Sequence, residues 1–368
     1  MIVILVPFFL AAQLRDAGWP QGAAESSYRF SVNSTAVSDS SLHEPDRSTR
    51  FDMSAMLKCR FRGPASLICR MTDSKAVSFA STTVDPTVPG EPLPDTMEDH
   101  AEYQLAEEAF EITFTPNGVG KILVNRTVSP GDLNMIRAIV NQLNIGANIA
   151  KKREPEFRHM EKSIIGKCDT VYHISKNSSG DFTDSFRKGP FYANCLIPSC
   201  RPGNNATWED DYKLSGLESL GRRKGETMRL EKWRNVNKCS LRADYFFGSR
   251  EGFRTDPSDM EARIVQSESS MYVSDTNFAS NTFNELQIAR QRGEDLIIYE
   301  HYSLTLASID PAETAQPISI VDPASASVYA YQYVDDDEES AELVKRARAT
   351  RPASSFSSSS SATMPRTA

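Results

Sequence analysis

Residues 129–144, SPGDLNMIRAIVNQLN, form the one strongly helical segment in a chain whose other apolar residues recur mostly at every second position. Leu133, Ile136, Ile139, Val140 and Leu143 occupy a broad apolar face, while Asn134, Arg137, Asn141 and Asn144 recur every three or four residues and confine polarity to a narrow stripe. Ser129 is placed to cap the first turn. Pro130 suits the first helical position, where its missing N–H costs nothing, and Asp132 meets the positive end of the helix dipole. A helix this apolar must be enclosed, and a single enclosed helix among many strands predicts a sheet wrapped around it.

The strands announce themselves by period two. Tyr28, Phe30 and Val32 alternate with Arg29, Ser31 and Asn33, which puts one apolar face on a half-buried strand. Phe110, Ile112 and Phe114 alternate in the same way before Pro116-Asn117-Gly118, and a second apolar stretch runs from Val119 to Val124. That pattern predicts a hairpin, with Gly118 free to take the positive φ of the turn. Residues 296–309 and 325–334 are further strand candidates rich in β-formers. The predicted class is mainly β, a barrel-like antiparallel sheet around one central helix.

Other segments cannot build a core. Residues 84–99 are proline-rich and acidic, and 176–231 are mostly loop-like. After an acidic run at 335–339 and a basic one at 345–351, residues 354–361 hold seven serines in eight positions. The expected organisation is a leader over 1–24, a β-domain over 25–334 and a disordered tail over 335–368.

The leader expectation rests on the apolar run Ile2–Ala12, followed by small residues suited to cleavage. No stretch reaches the roughly 18 apolar residues of a membrane-spanning helix. Six cysteines, an even number, and four Asn-x-Ser/Thr sequons at Asn33, Asn125, Asn177 and Asn205 also point to the secretory pathway and an extracellular location. Proximity favours Cys59 with Cys69 across the Gly63-Pro64 turn and Cys195 with Cys200, leaving Cys168 for Cys239, although six cysteines allow fifteen connectivities.

The order of these segments is similar to the N-terminal β-domain of the vitellogenins, especially the insect type, within the large lipid transfer protein family. The carrying residues are Tyr28-Arg-Phe-Ser-Val, Phe110-Glu-Ile-Thr-Phe with its Asn-Gly turn, and the helix ending Ile139-Val-Asn-Gln-Leu-Asn-Ile. EKSIIGKCDTVY at 161–172 and RNVNKCSLRADYFFG at 234–248 follow, and the resemblance extends over residues 27–334. It implies that Cys168 and Cys239 are joined, that the Ser129 helix is the central helix of the sheet, and that the class is lipid transport and yolk storage. The Cys59/Cys69 and Cys195/Cys200 pairs are additional to the insect pattern. In the family the lipid cavity belongs to domains beyond this one, so lipid is expected as a partner by resemblance only.

No catalytic or metal-binding constellation stands out. Cys-x-x-Cys is absent, the five histidines lack zinc-ligand spacing, and His173 and His301 fall in strand-like segments. The chain is expected to be neither an enzyme nor dependent on a cofactor. A net charge of −8 gives no electrostatic footprint for nucleic acid. Two basic clusters are candidates for contacting an acidic, lipoprotein-receptor-type receptor: Lys151, Lys152 and Arg153 with Arg158 and Lys162, and Arg222, Arg223 and Lys224 with Arg229, Lys232 and Arg234. Arg348-Ala-Thr-Arg351 fits a loose convertase site, with cleavage after Arg351. The functional expectation is a secreted vitellogenin-like binding protein. The alternatives are a stand-alone recognition module for receptors or for damaged or foreign surfaces, or a truncated piece of a full-length vitellogenin.

Overall fold

The computed structural model describes residues 24–38, 48–63, 66–81, 107–149, 152, 154–177, 227–242, 260–274, 277–290, 295–311 and 319–329. The chain divides into two units, 1–333 and 334–368, and every described residue belongs to the first. Residues 1–23 of the expected leader, Cys195, Cys200, Asn205, Lys151, Arg153, Arg222, Arg223, Lys224, Arg351 and the tail all lie outside the described residues, while Ala24 already begins the first strand.

Twelve strands and one helix make up the described fold: β1 (Ala24–Ser38), β2 (Ser48–Gly63), β3 (Ser66–Ser81), β4 (Phe110–Thr115), β5 (Gly118–Asn125), α1 (Pro130–Gln142), β6 (Glu156–Ser163), β7 (Gly166–Asn177), β8 (Thr227–Arg242), β9 (Met260–Val273), β10 (Phe278–Arg290), β11 (Leu296–Pro311) and β12 (Pro323–Ala326). All pairings are antiparallel, and the strands form one sheet in the order β12-β5-β4-β3-β2-β1-β11-β10-β9-β8-β7-β6. The longest-range join is β1 with β11, which lies beside the first strand although it is the eleventh made.

The predicted hairpin is β4–β5, with Thr115 opposite Gly118 and Gly118 at φ +111°. Tyr28, Phe30 and Val32 point into the main core, as their alternation requires. Inner-face side chains of the neighbouring strands, among them Met53, Leu57, Phe110, Ile112 and Leu304, join them there. A smaller cluster of Leu286, Ile288 and Ile298 forms elsewhere in the sheet.

Helix α1 begins as its sequence predicts. The Oγ of Ser129 accepts the N–H of Asp132 at 3.1 Å and donates to the Asp132 carboxylate at 2.6 Å, and Pro130 occupies the first turn. Leu133, Ile136, Ile139, Val140 and Leu143 are buried in the main core. Each such side chain contributes about 1.5–3 kcal/mol relative to exposure, so burial of this face holds the helix on the sheet.

The barrel-like sheet wraps the helix without closing. Strands β12 and β6 are its two edges and do not pair with each other. The short β12 reaches only residues 122–125 of β5, so the Gly118–Val119 end of β5 lacks a strand neighbour on that side among the described residues. A side chain spans the gap instead. Asn144, just past α1, accepts the N–H of Val119 through Oδ1 at 3.0 Å and donates through Nδ2 to the C=O of Lys162 in β6 at 2.7 Å. This close approach is possible because Gly118 has no Cβ; one built there would lie 2.2 Å from Asn144 Oδ1.

Candidate functional site

Most of the polar stripe is buried like the apolar face of α1, with Arg137, Asn141 and Asn144 enclosed and Asn134 half-buried, and it leads into a network of charges on the inner side of β6–β10. Arg137 donates to the C=O of Ser327 at 3.1 Å and to Asn134 Oδ1 at 2.9 Å. Gln142 donates to Thr282 Oγ1 at 3.0 Å and accepts from Ser280 at 3.1 Å, so the last turn of the helix is bonded to β10. Thr282 lies 2.9 Å from Ser269 of β9, and Ser269 accepts from Arg234 Nη1 of β8 at 2.8 Å.

At the centre stands Glu161 of β6. Arg234 clasps its carboxylate with two donors, Nε to Oε2 at 2.8 Å and Nη2 to Oε1 at 3.1 Å, the paired geometry in which guanidinium binds carboxylate most strongly. Lys232 Nζ donates to Glu161 Oε1 at 2.8 Å and to the C=O of Asn144 at 2.7 Å. Glu161 and Lys232 are both completely buried. Burial opposes the charge of Glu161, but Arg234 and Lys232 outweigh it and hold the carboxyl below its ordinary range. Burial also dominates at Lys232, bringing it down to about 8 against the attraction of Glu161.

Gly146 makes room for this cluster. It sits at φ +80°, and an added Cβ would come within 2.6 Å of Glu161 Cγ and 2.8 Å of the Tyr172 hydroxyl. The network therefore binds the end of α1 to four strands. Its donors and acceptors face one another, which suits it to fixing the helix in place.

These positions correct part of the receptor reading. Lys232 and Arg234, counted among the exposed basic residues by charge alone, face the core because they share the strand parity of Met228 and Leu230. Arg229 pairs with Glu231 and lies 5.3 Å from the Tyr272 ring. Arg158 is half-exposed and pairs with Asp169 at 2.9 Å. Exposed Lys152 stands 4.9 Å from the Phe157 ring centre. The structure does not gather these residues into one described patch.

Two of the expected cysteine pairs are joined: Cys59–Cys69, directly opposed on β2 and β3, and Cys168–Cys239, between β7 and β8. The sequons divide. The side chain of Asn33 is buried in mid-strand, and its Nδ2 donates to Asp52 Oδ1 at 2.7 Å. Asn125 ends β5 at a turn, and Asn177 ends β7 with its side chain outside the described residues.

Two of the described histidines, His173 and His301, lie on strands. His301 is half-buried, with the Phe283 ring centre 4.8 Å from its own, and desolvation together with the charge of Arg50 lowers its pKa to about 4. His173 lies 3.7 Å from Glu231. Among the described residues no group of three or more His, Cys, Asp or Glu is arranged to hold a metal, and no helix is long and apolar enough to cross a membrane.

Comparison with known proteins agrees with this architecture. The family described as the vitellogenin N-terminal domain matches residues 23–293. Vitellogenin-A1 of Aedes aegypti is 22% identical over 230 residues, a match that covers 56% of this chain and 9% of the mosquito protein. A solved lipovitellin structure superposes with a TM-score of 0.52 at 12% identity, covering 86% of this chain and 28% of that one, a likeness of fold. The chain thus spans less than a third of the relatives it matches. With most of the described sheet inside the matched region, this chain belongs to the vitellogenin N-terminal domain family.

Proposed function

We propose that this chain is a secreted vitellogenin-like protein of the lipid-transport and yolk-reservoir class, which acts by binding and not by catalysis. Its N-terminal β-domain is the docking part, and its partner is an acidic module of the lipoprotein-receptor type. The observation that carries this reading is the filled inner face of the sheet. Helix α1, its apolar contacts and the Glu161 network occupy that face, which favours docking through the outside over holding bulk lipid within the described domain. Electrostatic attraction between exposed basic residues and acidic repeats would speed encounter.

Surface plasmon resonance against calcium-loaded acidic receptor repeats tests it. Binding that weakens with salt is expected, as is a several-fold loss when Lys152, Arg222, Arg223 and Lys224 are all replaced by Glu. Binding that ignores both changes would remove the basic residues from the interface. Accumulation of the protein in ovary or haemolymph is expected for a yolk role, and its absence there would favour a recognition role without storage.

A further inference from the structure

We propose that Asn125 carries an N-linked glycan in the folded protein, and that this glycan covers the exposed Pro323 end of β12, an edge strand of the sheet among the described residues. The proposal rests on the secreted reading above.

Asn125 is the last residue of β5 and the partner of Pro323, the first residue of β12. Beyond it the chain turns sharply: Val128 N–H donates to the C=O of Asn125 at 3.0 Å. Within that turn the Asn125 Oδ1 accepts both the N–H of Thr127 at 3.1 Å and its hydroxyl at 3.0 Å. The third residue of the sequon thus holds the amide by its oxygen, an Asx-turn that commits Oδ1. Nδ2 is left without an acceptor among the described residues. Arg126 and Thr127 are both exposed, and Arg126 pairs with Asp322 at the surface, which fixes the turn beside the start of β12. Asn33 is the opposite case, with Nδ2 engaged by Asp52 between two paired strands.

The transfer needs an oligosaccharide carried on a lipid pyrophosphate. A bond forms between Nδ2 and the anomeric carbon, and the bond from that carbon to the phosphate oxygen breaks. The lipid pyrophosphate leaves with the electron pair, and one Nδ2 proton passes to a base of the transferase. The product places a bulky hydrophilic group at the corner where β5 meets β12. An unpaired sheet edge is a template for another strand, and proteins blunt such edges by covering or charging them. Strand β12 (Pro323–Ala326) offers no charge of its own.

The full chain is produced in mammalian cells behind a heterologous secretion leader, so that failure of its own leader cannot be mistaken for failure of the site. The secreted, folded protein is treated with peptide N-glycosidase F in heavy-oxygen water and mapped by mass spectrometry. Conversion of Asn125 to heavy-oxygen-labelled Asp, with Asn33 unlabelled, is expected. An unlabelled Asn125 overturns the proposal. Asn125→Gln and Thr127→Ala, each checked for native near-ultraviolet dichroism, are then compared with the unaltered chain by sedimentation velocity. A shift of both variants to larger species is expected, and sedimentation like that of the unaltered chain overturns the covering role.

Discussion

The side chain of Asn144 takes the backbone N–H of Val119 at 3.0 Å, a bond that a neighbouring strand would supply in a closed sheet. Its other half donates to Lys162 O, so one amide links β5 to β6 where the sheet leaves a gap. Asn144→Ala leaves a buried donor and an acceptor unmatched at once, and should cost about 2–6 kcal/mol, with each orphaned group worth roughly 1–3. Asn144→Asp keeps the acceptor for Val119 but cannot donate to Lys162, and should fall between the alanine variant and the unaltered chain. Urea unfolding followed by Trp fluorescence measures the order.

Among the described residues Glu161 is the carboxylate that pairs with Lys232 and Arg234, so Glu161→Gln leaves two buried cations without that counter-charge. Breaking a buried pair from one side costs about 3–5 kcal/mol. Adding Lys232→Met to Glu161→Gln removes one of the stranded charges and should recover part of that loss. Equal stability of the single and double variants would contradict the pairing.

The two described disulfides should differ in worth. Cys168–Cys239 closes a loop of 71 residues and Cys59–Cys69 one of 10. The entropy of the unfolded chain makes the longer closure worth about 1.7 kcal/mol more. Replacing each pair by serines and comparing denaturation midpoints tests this ranking.

Glu300 supplies the pH dependence. Burial raises its pKa from the ordinary 4.5 to about 8, against partial relief from Tyr302 and Asn284. Between those values the folded chain holds a proton that the unfolded chain lacks, so the associated stability is full below pH 4.5 and is lost as pH rises through about 8. Glu300→Gln cannot lose that proton. It should raise the melting temperature more at pH 8.5 than at pH 5, as differential scanning calorimetry would show; an equal shift at both would remove Glu300 as the source.

Much of the framework was legible because short-range rules govern it. The Ser129 cap, the Gly118 turn and the inward set Tyr28, Phe30 and Val32 follow from local chemistry and strand parity. The buried network was not, since charge suggests exposure until partners are known. Parity held the missing signal: Lys232 and Arg234 continue the inward row of Met228 and Leu230, and Glu161 continues that of Phe157. What no local pattern supplied was that these rows meet at the end of α1. The burial of Asn33 was hidden for the same reason, because a sequon is three residues long and that burial depends on β2 and β11.

The pairing of β1 with β11 sets a timetable for synthesis. Strand β1 leaves the ribosome early and can dock at once on β2, but its other edge waits for a partner some 260 residues downstream. At about 5–20 residues per second, that interval is roughly 13–50 s. Throughout it a long backbone edge bearing Tyr28, Phe30 and Val32 is open to the wrong neighbour until residues 296–311 emerge.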